Sequence, residues 1–112
     1  MTDEVIDLYM RPWSTEEGKK AFFRNLRRLN PEYTKAIAGE LKQLPHETLI
    51  MWADKDIFQK PIYASKLKEA IPKAELVWIK DSGHWLIEEK PEEIRQLILN
   101  FLNKNSTLSD GC

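Results

Sequence analysis

Two unbroken apolar runs, Thr48-Leu49-Ile50-Met51-Trp52-Ala53 and Leu76-Val77-Trp78-Ile79, constrain this chain more than any other feature. Neither run alternates with polar residues or repeats at the helical spacing, the pattern of strands covered on both faces. Between them, Pro61 suits the start of a helix whose apolar positions are Ile62, Leu67, Ala70 and Ile71. Two strands joined through a helix run parallel, and the crossover is almost always right-handed. The fold class is therefore α/β. Lys90-Pro91-Glu92-Glu93 opens a last helix with acidic residues at its positive end, and Ile94, Leu97, Ile98, Phe101 and Leu102 form the face to be buried.

Three helical segments precede the first run. Val5, Leu8 and Tyr9 follow the spacing of a short amphipathic helix that ends before Pro12. Ser14-Thr15-Glu16-Glu17 reads as a helix start in which Ser14 caps and Glu17 reaches back, with Phe22, Leu26 and Leu29 on the apolar face. Asn30-Pro31 starts the third helix, whose stripe is Ile37, Leu41 and Leu44. The chain thus divides into a helical segment, 1–44, a strand-helix-strand-helix segment, 45–104, and a small polar tail, 105–112, with Cys112 at its end.

The charge balance excludes several classes of function. Seventeen Lys and Arg face 18 Asp and Glu in 112 residues, a net charge of -1, with no block of five like charges. Neither a nucleic-acid footprint nor a polybasic membrane anchor follows from that distribution. The apolar runs fall far short of the roughly 20 residues that a membrane-spanning helix needs. Met1-Thr2-Asp3-Glu4 is acidic where a secretory signal is basic, and a lone cysteine forms no internal disulfide, so a cytoplasmic location is expected. His46, His84 and Cys112 are too scattered for a zinc cluster, and neither metal nor cofactor is expected.

In open parallel sheets the reactive groups lie beyond the carboxyl ends of the strands. Asp54-Lys55-Asp56 follows the first run and Asp81-Ser82-Gly83-His84 follows the second, so adjacent strands bring an Asp and a His to one place. A carboxylate that accepts from one imidazole nitrogen leaves the other free to act as a general base. Gly83 suits a tight turn before the histidine. The plainer alternative is an aspartate in a surface turn and a histidine that merely ends a strand.

From Leu44 to Leu102 the sequence resembles the C-terminal part of α/β-hydrolase fold enzymes. Trp52-Ala53-Asp54-Lys55-Asp56 matches a strand-end pattern Trp-Gly-x-x-Asp, with Ala53 in place of the glycine. Gly83-His84, Glu88 or Glu89, Pro91 and the helix through Phe101-Leu102 match the last strand, a Gly-His pair and a Glu-x-Pro stretch. The resemblance implies that Asp56 is the acid and His84 the base of a catalytic triad. Asp54, two positions early, is the weaker acid candidate, and His46 reads as surface loop. Trp85 suits either a pocket wall or packing beneath the last helix. Residues 1–44 are similar to the end of the helical cap of haloalkane dehalogenase and epoxide hydrolase relatives, which would set Trp13, Phe22 and Phe23 near substrate.

No Gly-x-Ser-x-Gly or Gly-x-Asp-x-Gly elbow occurs in the chain, and no His-Gly segment that supplies an oxyanion hole. The expectation is a C-terminal fragment of a hydrolase whose parent cleaves an ester, epoxide, carbon-halogen or similar bond in a small molecule, with Ser or Asp as the nucleophile. The fragment by itself is expected to be inactive. Its partner would be a second copy or a complementing N-terminal hydrolase segment. The alternative is a non-catalytic interaction protein that associates through its open sheet edge.

Overall fold

Thr48–Ala53 (β1) and Ala74–Ile79 (β2) form a two-stranded parallel sheet in the computed structural model of the chain, which describes residues 1–106. Cys112 and the rest of 107–112 lie outside the described residues. Thr48 pairs with Ala74 and Ala53 with Ile79, which sets the carboxyl ends of both strands side by side. β2 begins two residues before its apolar run, because the Thr48 amide donates to Lys73 O at 3.1 Å and draws Ala74 and Glu75 into the ladder.

Contacts divide the chain into two compact units, Met1–Gly39 and the stretch from Glu40 onward. In the second, the helix Ile62–Ala70 (α4) follows Pro61 and packs on the sheet. Ile50, Ala64, Ile71 and Ala74 are buried together, with Leu41, Leu44, Trp52, Leu67 and Leu76 against them. Ile50 and Trp52, two apart on β1, face this cluster, as strand alternation requires. The one-turn helix Leu86–Glu89 (α5) leads into Pro91–Ser106 (α6), which lies against β1. Of the five expected core positions on α6, Ile94 is buried, Leu97 and Phe101 are half-buried, and Ile98 and Leu102 are exposed. Two strands are too narrow to cover the whole stripe. α6 also runs on through Asn105 and Ser106, whose side chains bond back to Phe101 O and Asn103 O.

The first unit is helical: Asp3–Met10 (α1), a 3-10 turn Arg11–Trp13, Glu16–Arg28 (α2) and Glu32–Ile37 (α3), which passes into a 3-10 helix Ala38–Gln43. The cap of α2 falls one residue later than the sequence suggests. Ser14 keeps helical angles and its hydroxyl donates to Arg11 O at 2.7 Å, while the extended Thr15 accepts from the Gly18 amide at 3.0 Å. Gly18 is required by a close approach, since a Cβ there would stand 2.0 Å from Pro12 O. Trp13 packs edge-on against Phe22 at 5.5 Å. Phe22, Phe23, Leu26 and Leu29 are nevertheless exposed, so the short helical unit by itself leaves most of the apolar face of α2 open. Among the described residues no helix is long and apolar enough to cross a membrane.

Candidate active site

The chain leaves β1 at Ala53 through a tight turn, in which the Asp56 amide points at Ala53 O at 3.4 Å. Asp56 then folds its own side chain over the next residues. Its Oδ1 accepts from the Phe58 amide at 2.9 Å and the Gln59 amide at 2.8 Å, the local bonding for which aspartate is favoured in turns. The Trp52 indole donates to Gln59 O at 3.2 Å and ties the far end of this turn to β1. The Asp56 side chain is 5% exposed, and its second oxygen is the one left for another partner.

That partner arrives from the end of β2. Asp81 adopts a left-handed φ of 53°, a conformation that aspartate tolerates better than most residues, and the chain reverses there. The positive φ is at Asp81 and not at Gly83, where an added Cβ would meet the Glu89 carboxylate at ordinary contact distance, 3.4 Å from Oε1 and 3.9 Å from Oε2. Ser82 is buried, its carbonyl accepts from the Lys55 amide at 3.1 Å, and its hydroxyl donates to Glu89 Oε2 at 3.0 Å. His84 follows, with Nδ1 at 2.8 Å from Asp56 Oδ2 and its side chain 37% exposed. The two sequence-selected residues therefore meet, at the carboxyl ends of neighbouring parallel strands.

Burial by itself pushes the Asp56 carboxyl up, but the hydrogen bonds from the Gln59 amide, His84 and the Phe58 amide outweigh it and hold the group below the usual aspartate value. The carboxylate stays ionised at neutral pH, and an ionised acceptor favours the proton on Nδ1 of His84. Nε2 is then the nitrogen available to take a proton from a nucleophile or from water. The imidazole is bracketed edge-on by Phe58 at 5.5 Å and Trp85 at 5.7 Å. A cavity of about 180 Å³ opens beside the pair, walled by Met51, Trp52, Ala53, Gln59 and Leu86.

The other candidates stand apart from this geometry. Asp54 offers Oδ1 to the Ser82 amide at a long 3.5 Å and serves the loop instead of His84. Lys55 pairs with Asp81 at 2.6 Å, which raises the ammonium and lowers the carboxyl; both groups are exposed, so this tie between the loops is weak. His46 precedes β1, at the opposite strand end from Asp56, and its carbonyl accepts from the Thr48 hydroxyl. Among the described residues no group of three or more His, Cys, Asp or Glu side chains is placed to hold a metal ion. Phe58 had no signal of its own in the sequence, since its place beside His84 follows from the turn that Asp56 makes. Glu89 was legible only as one of two glutamates before a proline.

The chain is similar to proteins of known fold. It is 30% identical over 104 residues to an uncharacterized hydrolase, YugF, of Bacillus subtilis (strain 168), a match that covers 89% of this chain and 36% of that protein. Bifunctional epoxide hydrolase 2 of Rattus norvegicus is 29% identical over 103 residues, covering 90% of this chain and 18% of the relative. Among solved structures, an α/β hydrolase enzyme from the metagenome of lagoon sediments at Mar Chica, Morocco, superposes with a TM-score of 0.70 at 25% identity, over 94% of this chain and 46% of its own. The chain thus spans about a third or less of the length of these two sequence relatives. The family model for the alpha/beta hydrolase fold matches residues 1–91, most of the chain, and with the parallel strand-helix-strand unit this identifies the protein as a member of the α/β-hydrolase fold family, of which it carries a partial fold.

Proposed function

We propose that Asp56 and His84 are the acid and base of a nucleophile-histidine-acid triad in a hydrolase whose nucleophile lies outside this chain. The observation that carries this function is the 2.8 Å approach of His84 Nδ1 to a buried, ionised Asp56. Membership of a family whose relatives are hydrolases supports it. In this reaction His84 Nε2 takes the proton of a Ser nucleophile, or of the water that resolves an ester formed on an Asp nucleophile. Asp56 holds the ring in orientation and stabilises the imidazolium as it forms. The substrate is a small molecule with an ester, epoxide, carbon-halogen or similar bond, and the neighbouring apolar cavity suits its uncharged part.

The chain alone lacks both the nucleophile and the oxyanion donors, so it is inactive on its own in this proposal. Supplying a nucleophile-bearing N-terminal half of an α/β hydrolase, fused or in trans, is expected to produce turnover of an activated ester. His84→Ala then lowers that turnover on the order of a thousandfold or more, and Asp56→Asn by a comparable factor. Turnover indifferent to both substitutions removes the triad assignment.

A second role is favoured by the open edge of β1, whose outer backbone groups have no strand beside them among the described residues. We propose that another polypeptide covers this edge, either a second copy or a complementing hydrolase segment. An interaction protein without catalysis would use the same edge.

A further inference from the structure

The segment that carries His84 is closed on itself by one side chain. From Ser82 the chain passes through Gly83, His84 and Trp85, makes the single turn of α5, and returns with Glu89 beneath its own start. Glu89 Oε2 accepts from the Gly83 amide at 2.8 Å and from the Ser82 hydroxyl at 3.0 Å. On the other flank the Glu89 amide donates to Trp85 O at 3.1 Å, and the Lys90 amide to Leu86 O at 2.9 Å. His84 therefore sits between two anchored points, with Ser82 buried on one side and α5 on the other.

We propose that Glu89 is a positioning residue for the candidate site, clasping the Ser82–Gly83 backbone so that the His84 imidazole is presented to Asp56. The inference rests on the Asp56–His84 pairing of the proposed function and adds the device that maintains it. Among the described residues the His84 side chain bonds to Asp56 and not to its own loop. Its backbone must then be held by something else if the 2.8 Å contact is to persist in an exposed loop. The carboxylate is suited to this, because one charged oxygen accepts from a backbone amide and a hydroxyl together and so fixes two successive residues. The Gly83 amide, and then the Ser82 hydroxyl, lower the Glu89 carboxyl below the usual glutamate value, which keeps the acceptor charged at neutral pH.

The test uses the 112-residue chain and the imidazole N–H proton of His84, observed by NMR at low temperature and identified by its loss in His84→Gln. The unaltered chain is expected to show a slowly exchanging low-field resonance. Glu89→Ala is expected to abolish it while the amide signals of β1 and β2 persist, and Glu89→Gln, which keeps an oxygen acceptor, to restore it. A resonance that survives Glu89→Ala overturns the proposal and leaves the Asp56–His84 pairing intact. A resonance missing from the unaltered chain removes the pairing and the proposal together. Should Glu89→Ala fail to fold, hydrogen exchange at the Gly83 amide of the unaltered chain decides the matter: protection of at least about tenfold is expected for a bond to a charged acceptor. Exchange at the rate of an open amide overturns the clasp.

Discussion

The carboxylate of Asp56 divides its two oxygens between two tasks, one bonding the backbone of Phe58 and Gln59 and the other meeting His84, 28 positions away, at 2.8 Å. A local turn and a long-range pair therefore depend on the same side chain. Replacing it removes both at once. Asp56→Ala leaves two amide donors without their partner and is expected to lower the stability of the chain by about 1–3 kcal/mol. Asp56→Asn keeps an oxygen acceptor and is expected to cost less. Urea unfolding of the two variants measures the difference, and equal midpoints for Asp56→Ala and the unaltered chain would contradict the role of the turn.

Acid is expected to loosen the same region. Asp56 and Glu89 both have folded pKa values below their unfolded ones, so each contributes stability that is present above the unfolded value and lost as pH falls through the folded value. The loss begins near the ordinary glutamate value of 4.5 and continues below the aspartate value of 3.8. Unfolding midpoints measured at a series of pH values from neutrality downward should be flat at first and then decline through that window. The decline should be shallower in Glu89→Gln.

Purified chain is expected not to turn over activated esters. In the proposed reading the chain holds a base and its acid without a nucleophile or oxyanion donors, and so lacks the largest contributions to acyl transfer. Ester hydrolysis that follows enzyme concentration and vanishes in His84→Ala would contradict this.

Two glycines of the helical unit should respond in opposite ways to alanine. At Gly18 the new methyl would stand 2.0 Å from Pro12 O, and because backbone lies on both sides the turn Arg11–Trp13 must shift. A loss of about 1–3 kcal/mol or more is expected, as for other overpacked sites. At Gly39 nothing lies within 4 Å of an added Cβ, and Gly39→Ala is expected to be neutral or slightly stabilising. Thermal melts followed by circular dichroism distinguish the two.

The chain is expected to associate. A parallel sheet of two strands is marginal by itself, and Trp78, Ile98 and Leu102 are exposed around it. Light scattering over a dilution series should give a mass above that of one chain, with an interface above roughly 1,000 Å² once a structure of the assembly is solved. A single-chain mass at micromolar concentration, with cooperative unfolding, would exclude it.

Much of this protein was determined by local sequence. Apolar runs without period, Pro61 and Pro91 at helix starts, and acidic first turns depend on neighbours a few residues away, so β1, α4, β2 and α6 were legible from the residues that form them. The presence of an acid after one strand and a histidine after the next was equally legible, because a parallel crossover leaves both strand ends on one side of a sheet. Other features were settled only by the geometry of the folded chain, through bonds both local and long-range. Ser14 and Thr15 are comparable caps by composition, and the 3-10 turn at Arg11–Trp13 selects Thr15 by occupying Ser14 with its own carbonyl. Asp54 and Asp56 are comparable acids by type, and only the resemblance of Trp52-Ala53-Asp54-Lys55-Asp56 to a family pattern ranked Asp56 first. The turn at the end of β1 gives Asp56 two backbone donors and an oxygen to spare, whereas Asp54 is directed at the Ser82 loop. The same holds for Glu88 and Glu89, since only the return of α5 sets Glu89 against Gly83. A hydrogen bond requires atoms within about 3 Å, and a string of residues states which groups are available but not which of two neighbours the packed chain brings that close.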